Sequence, residues 1–592
     1  MLGQPRRWML GVGLAAALVQ GCGGDELEVE FLSPAERTET RGDLGIALTV
    51  TGGAPDRVDL YVNDGWLATI GDASYRWDTT GWPEGKYTLK ARAWIGEQVY
   101  ESESRTVIVD RTAPLLLTTL PSRGETQVPV KAAPIALKFS EPLTTSALGT
   151  LTLRLNASGG GTQLISPSGL SEDRKTLFFP AHSMSITPPQ TIAATLMGRA
   201  EDPAGNLFLS GNVDSAWAWQ VPVFIPLGKV TESLLPAEGP PLLSAQGPTL
   251  RLDSKGQPLV AWRSSSSSVV VRQWDGQGWK PIPPKPFPAS DLRDVGADIA
   301  LDESGIPTVG WISQDANSSS VSVWSHQGDT WTRQFTVGPN PEGPFPLIDR
   351  AALRLSKNGT ARLAWLAGSK TAPGFGGLMV YWRGPTEDTS FFNTYSQGTA
   401  LLGRHLSMET NTTRDSLALA WSERVDNGYR LMVIRRPDNA YEWSEWPLEA
   451  RGAMPGNPSL VLLSNGEPIV AWNEPGAIQV RRLKGNTWTA VGTPIPIPST
   501  VDVTSVVPVL ALDNTEQPVL AWSMPGKAEV WRWNGSAWMR VGELNETVSG
   551  ETSSPWPIQL QVEKSGTPVV GWLRPDASQP GRGAMEVYQL NR

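Results

Sequence analysis

The stretch TLRLDSKGQPLVAW, residues 249–262, returns near the end of the chain as VLALDNTEQPVLAW, residues 509–522. In both copies an apolar-rich run stands on each side of a turn that starts with aspartate, which predicts two antiparallel strands joined by a tight turn. The phrase occurs seven times, and its closing tryptophan stands at positions 262, 311, 365, 421, 472, 522 and 572. The spacings of 49, 54, 56, 51, 50 and 50 residues indicate an internal repeat.

Each repeat contains four short apolar-alternating runs, as at 249–253, 258–262, 269–274 and 278–282. Four strands in about 50 residues are typical of a β-propeller blade. The seventh repeat stops before its fourth strand, and residues 224–228 match that missing strand in offset. We therefore expect a seven-bladed β-propeller over residues 222–592, closed by its N-terminal strand. The resemblance is to seven-bladed propellers in general, including sialidase-like and kelch-like shapes, and it implies a fold without a catalytic motif.

Two shorter modules precede the repeats. Alternating runs at 44–50, 57–62, 87–94 and 105–110 predict a β-sandwich, and the phrases at 77–80 and 85–89 resemble bacterial Ig-like domains. The phrases FSEP at 139–142 and DPAGN at 202–206 resemble the Ig-like domain of S-layer-associated proteins. We assign these modules to residues 25–112 and 113–221, as spacers. Glu141 is interpreted as a strand end and Asp202 as the start of a β-turn, in preference to an acid/base pair.

The N-terminus reads as a signal peptide over residues 1–22, with a basic start, an apolar stretch and the only cysteine of the chain at its end. The run Val19-Gln20-Gly21-Cys22 resembles a bacterial lipobox. That resemblance implies acylation of Cys22, a stable anchor in the lipid bilayer, and a place in the outer membrane or on the surface of a Gram-negative bacterium. The alternative is an ordinary secretory signal followed by a chance cysteine.

Composition excludes several classes of function. A net charge of −9 offers no basic surface for nucleic acid, and one cysteine with three histidines cannot form a disulfide framework or a Cys/His zinc site. We predict no catalytic residue, no metal and no cofactor, because no catalytic motif is found. Each histidine is interpreted as a surface or turn residue (His182, His326 and His405). Asp298, with Asp291 and Asp294, is expected in a solvated connection.

The segments after each repeated tryptophan are polar and variable, which suits recognition, whereas the tryptophans themselves are expected to form the core. We predict that these loops begin immediately after the tryptophan and that Arg263, Glu423, Asn473 and Arg574 contact a ligand. The sequence thus predicts an all-β, monomeric, membrane-anchored surface protein for binding or adhesion, whose partner is a glycan, a peptide or another envelope protein. The alternatives are a secreted glycoside hydrolase or sialidase-like enzyme, and a purely structural envelope protein.

Overall fold

A computed structural model gives the fold over most of the chain. It describes residues 27–71, 73–130, 135–209, 215–230, 248–263, 269–282, 293–314, 318–328, 330–339, 347–368, 376–383, 390–394, 402–411, 416–425, 428–436, 443–448, 456–503, 506–524, 526–545, 558–575 and 583–591. The protein is all-β, and the chain divides into two compact units, residues 1–220 and 221–592. Cys22 and the predicted lipobox lie outside the described residues. No helix in the described part is long and apolar enough to span a bilayer.

The first module has a three-stranded sheet in the order β1-β3-β6 and a second sheet in the order β2-β9-β7-β4-β5, with β8 paired to β7. Asn63 and Asp64 both have positive φ, as a two-residue hairpin between β4 and β5 requires. Trp77 is 1% exposed in the core. The strands are β1 Glu28–Ser33, β2 Arg37–Thr40, β3 Leu44–Thr51, β4 Arg57–Val62, β5 Gly65–Ile70, β6 Ser74–Trp77, β7 Gly85–Ile95, β8 Gln98–Glu101 and β9 Arg105–Val109.

The second module also has two sheets, in the orders β10-β11-β15-β14 and β13-β12-β16-β17, with β18 paired to β16. Its inward-facing residues alternate along the strands, as in Ile135, Leu137 and Phe139, which are fully buried. The elements are β10 Leu116–Leu120, β11 Ile135–Phe139, α1 Ala147–Thr150, β12 Leu151–Ala157, β13 Thr162–Ile165, β14 Gly169–Leu170, β15 Thr176–Phe179, β16 Gln190–Glu201, β17 Leu207–Leu209 and β18 Ala216–Val221.

The described residues of the C-terminal unit form seven antiparallel sheets. Six of them take their strands consecutively from the chain, and the seventh combines the last three strands with β19. The strands are β19 Phe224–Lys229, β20 Thr249–Leu252, β21 Pro258–Arg263, β22 Val269–Trp274, β23 Trp279–Pro281, β24 Arg293–Leu301, β25 Pro307–Gln314, β26 Ser319–Gln327, β27 Thr330–Val337, β28 Leu347–Leu355, β29 Ala361–Gly368, β30 Gly376–Arg383, β31 Ser390–Thr394, β32 Leu402–Asn411, β33 Ser416–Val425, β34 Gly428–Arg436, β35 Ser444–Glu445, β36 Ser459–Leu462, β37 Pro468–Glu474, β38 Ala477–Lys484, β39 Thr487–Ala490, β40 Ile495–Pro496, β41 Val509–Leu512, β42 Pro518–Met524, β43 Lys527–Trp533, β44 Trp538–Asn545, β45 Ile558–Val562, β46 Pro568–Pro575 and β47 Gly583–Leu590.

The first strand of each sheet contacts the first strand of the next. The contacts run from β20 to β24, β28, β32, β36, β41 and β45, and β45 contacts β20. Side-chain oxygens reinforce some of these steps, because Ser407 Oγ accepts the backbone N–H of Leu460 and Ser459 Oγ accepts that of Leu510, each at 2.9 Å. Each bond satisfies a backbone donor on the open edge of a first strand.

The repeated phrase forms the first two strands of a sheet and the turn between them. Asp253 Oδ1 accepts the N–H groups of Lys255 and Gln257 at 2.8 Å, and Gly256 closes the turn with φ of 81°. This is the turn chemistry that the sequence predicts. All seven repeated tryptophans are between 0% and 5% exposed, which confirms that they form the core.

The seventh sheet has the order β19-β47-β46-β45. Phe224 pairs with Leu590 and Ile225 with Gln589 in an antiparallel register. Beyond the strand, the backbone N–H of Asn591 donates to the carbonyl of Val223 at 2.8 Å. The last sheet therefore takes its fourth strand from the start of the unit, some 360 residues earlier in the chain.

Candidate functional site

A charged cluster lies on the first strands of four consecutive sheets. It consists of Arg251 on β20, Asp298 on β24, Arg350 and Arg354 on β28, and His405 and Glu409 on β32. Arg251, Arg354 and Glu409 occupy equivalent register positions, since each lies opposite the residue three before the repeated tryptophan. The cluster is built where first strands contact each other, so that charges from different repeats meet.

Asp298 is the centre of this cluster and is 6% exposed. Its Oδ1 accepts from Arg251 Nη2 at 3.3 Å, and its Oδ2 accepts from Arg354 Nη1 at 3.2 Å. The same carboxylate accepts the backbone N–H groups of Ile299 and of Leu353, the latter in the next sheet, each at 2.9 Å. Four donors from three sheets thus converge on one buried carboxylate.

Arg354 joins Asp298 to the fourth sheet. Its Nε donates to Glu409 Oε1 at 2.8 Å and to Oε2 at 3.3 Å, while its Nη1 also donates to the carbonyl of Leu353 at 2.8 Å. Burial acts to lower the pKa of the Arg354 guanidinium, but Glu409 and Asp298 together outweigh it, so the pKa is raised. Burial lowers the pKa of Arg251, and the positive charge of Arg354 lowers it further. The negative charge of Asp298 opposes both effects without outweighing them.

Arg350 differs from the other two arginines. Its Nη1 lies 3.0 Å from Nδ1 of His405, and this is the only hydrogen-bond partner that the described residues offer its guanidinium. A guanidinium has no acceptor, so Nδ1 accepts and the proton of the neutral ring is on Nε2. Burial lowers the pKa of Arg350, and among the described groups only the charge of Asp298 opposes this.

These residues correct two expectations. Asp298 lies within a strand and is buried, because its carboxylate satisfies backbone donors of two sheets, and it does not belong to a solvated connection. His405 lies on a strand, partly exposed and in contact with Arg350, so it is not a turn histidine. Aligning the repeats by their tryptophans reveals the signal that was missed. The position occupied by Arg251, Arg354 and Glu409 is charged in these three repeats and uncharged in the other four, where it is Ala300, Val461, Ala511 or Gln561.

The predicted ligand residues are not brought together with the cluster by any described contact. The strands continue beyond the repeated tryptophan, so the prediction that loops begin immediately after it is wrong: β33 runs to Val425 and β37 to Glu474. Glu423 is 5% exposed and accepts from Arg430 Nε at 2.5 Å. The side chains of Arg263 and Arg574 lie outside the described residues, although both positions are on strands.

Asn473 forms hydrogen bonds with the backbone before and after its hairpin. Its Oδ1 accepts the N–H of Asn457 and its Nδ2 donates to the carbonyl of Val503, each at 2.6 Å. With 4% exposure its polar atoms are engaged within the fold. Ligand contact by Arg263, Glu423, Asn473 and Arg574 remains a prediction.

A second polar cluster lies in the N-terminal unit, where Asp110, Glu141 and Asp202 have carboxylate oxygens within 4.8 Å of one another. Burial raises the pKa of Glu141, and the charges of Asp110 and Asp202 raise it further. The pKa of Asp110 is raised mainly by burial as well. Asn206 crosses between the two modules, because its Nδ2 donates to the carbonyl of Asp110 at 3.0 Å and to Asp202 Oδ2 at 2.9 Å. Three carboxylates in this arrangement are the oxygen ligands that Ca²⁺ or Mg²⁺ prefers.

Residues 28–91 match the sequence model of the bacterial Ig domain family. This confirms the Ig-like prediction for the greater part of the first module. No curated protein is detectably similar to the chain in sequence.

Several solved structures are similar to parts of the chain. An α-L-arabinanase of Penicillium chrysogenum, complexed with arabinobiose, is 14% identical and covers 54% of this chain and 99% of its own, with a TM-score of 0.36. A variant of the NanB sialidase of Streptococcus pneumoniae is 10% identical and covers 81% of this chain and 93% of its own, with a TM-score of 0.33. A fucose lectin of Kordia zhangzhouensis, in complex with methyl-fucoside, is 18% identical and covers 26% of this chain and 100% of its own, with a TM-score of 0.18.

Proposed function

We propose that this chain is a lipid-anchored surface protein that binds a glycan through its C-terminal unit. In this proposal the seven sheets form a seven-bladed β-propeller closed by β19, and the bacterial and S-layer-type Ig-like modules are spacers between it and the membrane. The observation that carries the binding function is the charged cluster of Arg251, Asp298, Arg350, Arg354 and Glu409 on the first strands, with His405 beside it. Buried charge at the meeting point of repeats is costly to maintain in a purely structural unit.

The cyclic order of contacts among first strands supports the propeller arrangement. In a propeller these strands surround a central channel, and charged side chains on them face one another across its wall. The pairing of β19 with β47 supports closure, because it joins the first and the last strand of the unit in one sheet.

The hydrogen-bond partners of Asp298 and Glu409 favour binding over glycoside hydrolysis. A glycosidase generally needs one carboxyl group as acid and another as nucleophile or base, on either side of the scissile bond. Here Asp298 accepts from two arginines and two backbone donors, and Glu409 is held by the Nε of Arg354. These donors occupy the carboxylate oxygens, which suits an electrostatic support and leaves neither group placed as a free acid, base or nucleophile.

The four predicted contact residues and the anchor complete the proposal. Arg263, Glu423, Asn473 and Arg574 stay as proposed ligand contacts at the ends of second strands. Acylated Cys22 holds the chain at the outer membrane or cell surface of a Gram-negative bacterium. Because several acyl chains make an effectively permanent anchor, Cys22→Ser is expected to move the protein from the membrane fraction to the soluble fraction. Unchanged partition with membranes would contradict the anchor.

A glycan array probed with the full Cys22→Ser chain tests the binding function. We expect binding to a defined set of glycans, and loss of that binding in Asp298→Asn that still folds. Incubation of the same protein with chromogenic glycosides separates the alternatives, since turnover would favour a hydrolase. Absence of both binding and turnover would favour a structural envelope protein and contradict the proposal.

A further inference from the structure

We infer that Arg350 recognises a carboxylate on the bound glycan, so that the ligand of this site is an acidic sugar such as a uronic or ulosonic acid. The inference rests on the proposed glycan-binding function and specifies the chemical class of the ligand. It starts from the number of charges in the cluster, which contains three arginines and two carboxylates: Arg251, Arg350 and Arg354, and Asp298 and Glu409. Arg251 and Arg354 are ion-paired with Asp298, and Arg354 also with Glu409.

Arg350 is the one arginine of the cluster that neither carboxylate pairs with. Among the described residues no carboxylate lies within ion-pair distance of its guanidinium, and its one hydrogen bond goes to the neutral ring of His405. A guanidinium has five N–H donors in a planar fork, and His405 accepts only one of them. A largely buried cation without a counter-ion is unfavourable unless an anion from outside the chain compensates it.

The strand pairing is irregular next to Arg350 and at the equivalent position of the preceding sheet. The register between β28 and β29 shifts between Ile348 and Arg350, and the register between β24 and β25 shifts just before Gly296. Bulges of this kind re-aim side chains and are frequent next to functional sites. Arg350 and Gly296 are equivalent, since each lies opposite the residue that follows the repeated tryptophan.

Arg350 has different neighbours on the two adjacent first strands. On one flank Arg350 is held by His405 of the next sheet, whereas the equivalent position of the preceding sheet is Gly296, which has no side chain. Both Arg350 and His405 are partly exposed, so an outside group can reach them. The guanidinium therefore keeps N–H donors that no described residue uses, and the equivalent position of the preceding sheet bears no side chain.

A carboxylate is the anion that fits this donor set best. Its two oxygens accept two parallel N–H bonds from one guanidinium, which gives both strength and orientation. Among sugars, the uronic and ulosonic acids carry this group, while neutral sugars offer only hydroxyls. Sulfated sugars also present two oxygens to the fork, but a sulfate ester is far less basic than a carboxylate and is therefore the weaker hydrogen-bond acceptor.

Calorimetric titration of the full Cys22→Ser chain with trigalacturonic acid, its methyl ester, sialyllactose, lactose and a sulfated galactose trisaccharide tests the inference. We expect at least one of the two acidic probes to bind, and its neutral counterpart, the ester or lactose, to bind about 10- to 100-fold more weakly, as for loss of a hydrogen bond to a charged group. Arg350→Gln should lower affinity for the acid by a similar factor and leave affinity for the neutral counterpart unchanged. Arg350→Lys should recover part of the loss, because it retains the charge without the fork.

Arg540→Gln is the matched control, since Arg540 lies in the same unit, is about half exposed and is paired with Glu543. It should bind the acidic probe like the parent protein, and thermal unfolding of every variant verifies folding. Equal affinity for acid and neutral counterpart, equal or tighter binding of the sulfated sugar, or an unaffected Arg350→Gln would overturn the inference while glycan binding stands. Failure of the parent protein to bind any glycan, here and on the array, would overturn the proposed function and the inference with it.

Discussion

Asp298→Asn should destabilise the C-terminal unit strongly, although it only replaces one carboxylate oxygen with an amide NH2 group. The carboxylate holds Arg251 at 3.3 Å and Arg354 at 3.2 Å, and it is 6% exposed. Removing one partner of a buried ion pair costs about 3–5 kcal/mol, because the remaining charge stays buried without compensation. Glu409 still holds Arg354, and the amide oxygen can still accept one backbone N–H, so we expect about 3 kcal/mol, at the lower end of that range.

Urea unfolding followed by tryptophan fluorescence measures this change, since the seven repeated tryptophans are buried in the same unit. With a slope of about 3 kcal/mol per molar urea, the midpoint should fall by about 1 M. Asp275→Asn is the control, because Asp275 caps an exposed turn by accepting from Gln277 and Gly278, which an asparagine can also do. We expect it to change stability by less than about 0.5 kcal/mol. A loss below about 1 kcal/mol in Asp298→Asn would refute the electrostatic reasoning.

Three further substitutions test other parts of the structure. Phe224→Ala, at a side chain 4% exposed in the seventh sheet, should cost about 3–5 kcal/mol in the same urea assay, and an unchanged midpoint would show that this strand does not support the unit. Asn473→Ala should cost about 1–3 kcal/mol, since it leaves the N–H of Asn457 without its partner, whereas a fully stable variant with altered glycan binding would favour direct ligand contact. Glu141 has a raised pKa, so the folded N-terminal unit binds protons more readily than the unfolded chain and loses stability as pH rises from the ordinary glutamate value through the raised one. Glu141→Gln should therefore raise the melting temperature of this unit at pH 7 and not at pH 3.5 in EDTA, and a lower melting temperature at pH 7 would contradict the pKa argument.

The repeat pattern predicted the parts of the fold that short-range chemistry determines. The Asp253 turn, the buried tryptophans and the pairing of residues 224–229 with the final strand all follow from phrases that recur at fixed offsets. Each of these features depends on neighbours within one repeat, or on one strand that the last repeat lacks. The local sequence pattern is sufficient to predict such features, because every repeat has the same pattern and predicts the same local structure.

The charged cluster could not be predicted in the same way. Asp298 and Arg354 come from different repeats, and their contact depends on which first strands are neighbours and on the register of each sheet. The loop prediction failed for a related reason. Backbone hydrogen bonding continues past the tryptophans, so that Glu423 and Asn473 are paired strand residues and their side chains are buried. A polar residue in a variable segment looks the same in sequence whether it is exposed or buried.

Disulfide trapping across the seventh sheet tests most directly the claim that the two ends of the C-terminal unit meet. In a Cys22→Ser background, which has no other cysteine, Ile225→Cys and Gln589→Cys lie directly opposite each other in adjacent strands, where Cα atoms are about 4.5–5.5 Å apart and a disulfide can form. Gln561→Cys with Ile225→Cys is the control, because β45 is three strands from β19 in the same row and about 14 Å away. We predict that mild oxidation links the first pair nearly completely and the control pair hardly at all, as judged by mass spectrometry of the digested protein. Equal linkage of both pairs, or none in the first, would contradict the closure of this unit by its own two ends.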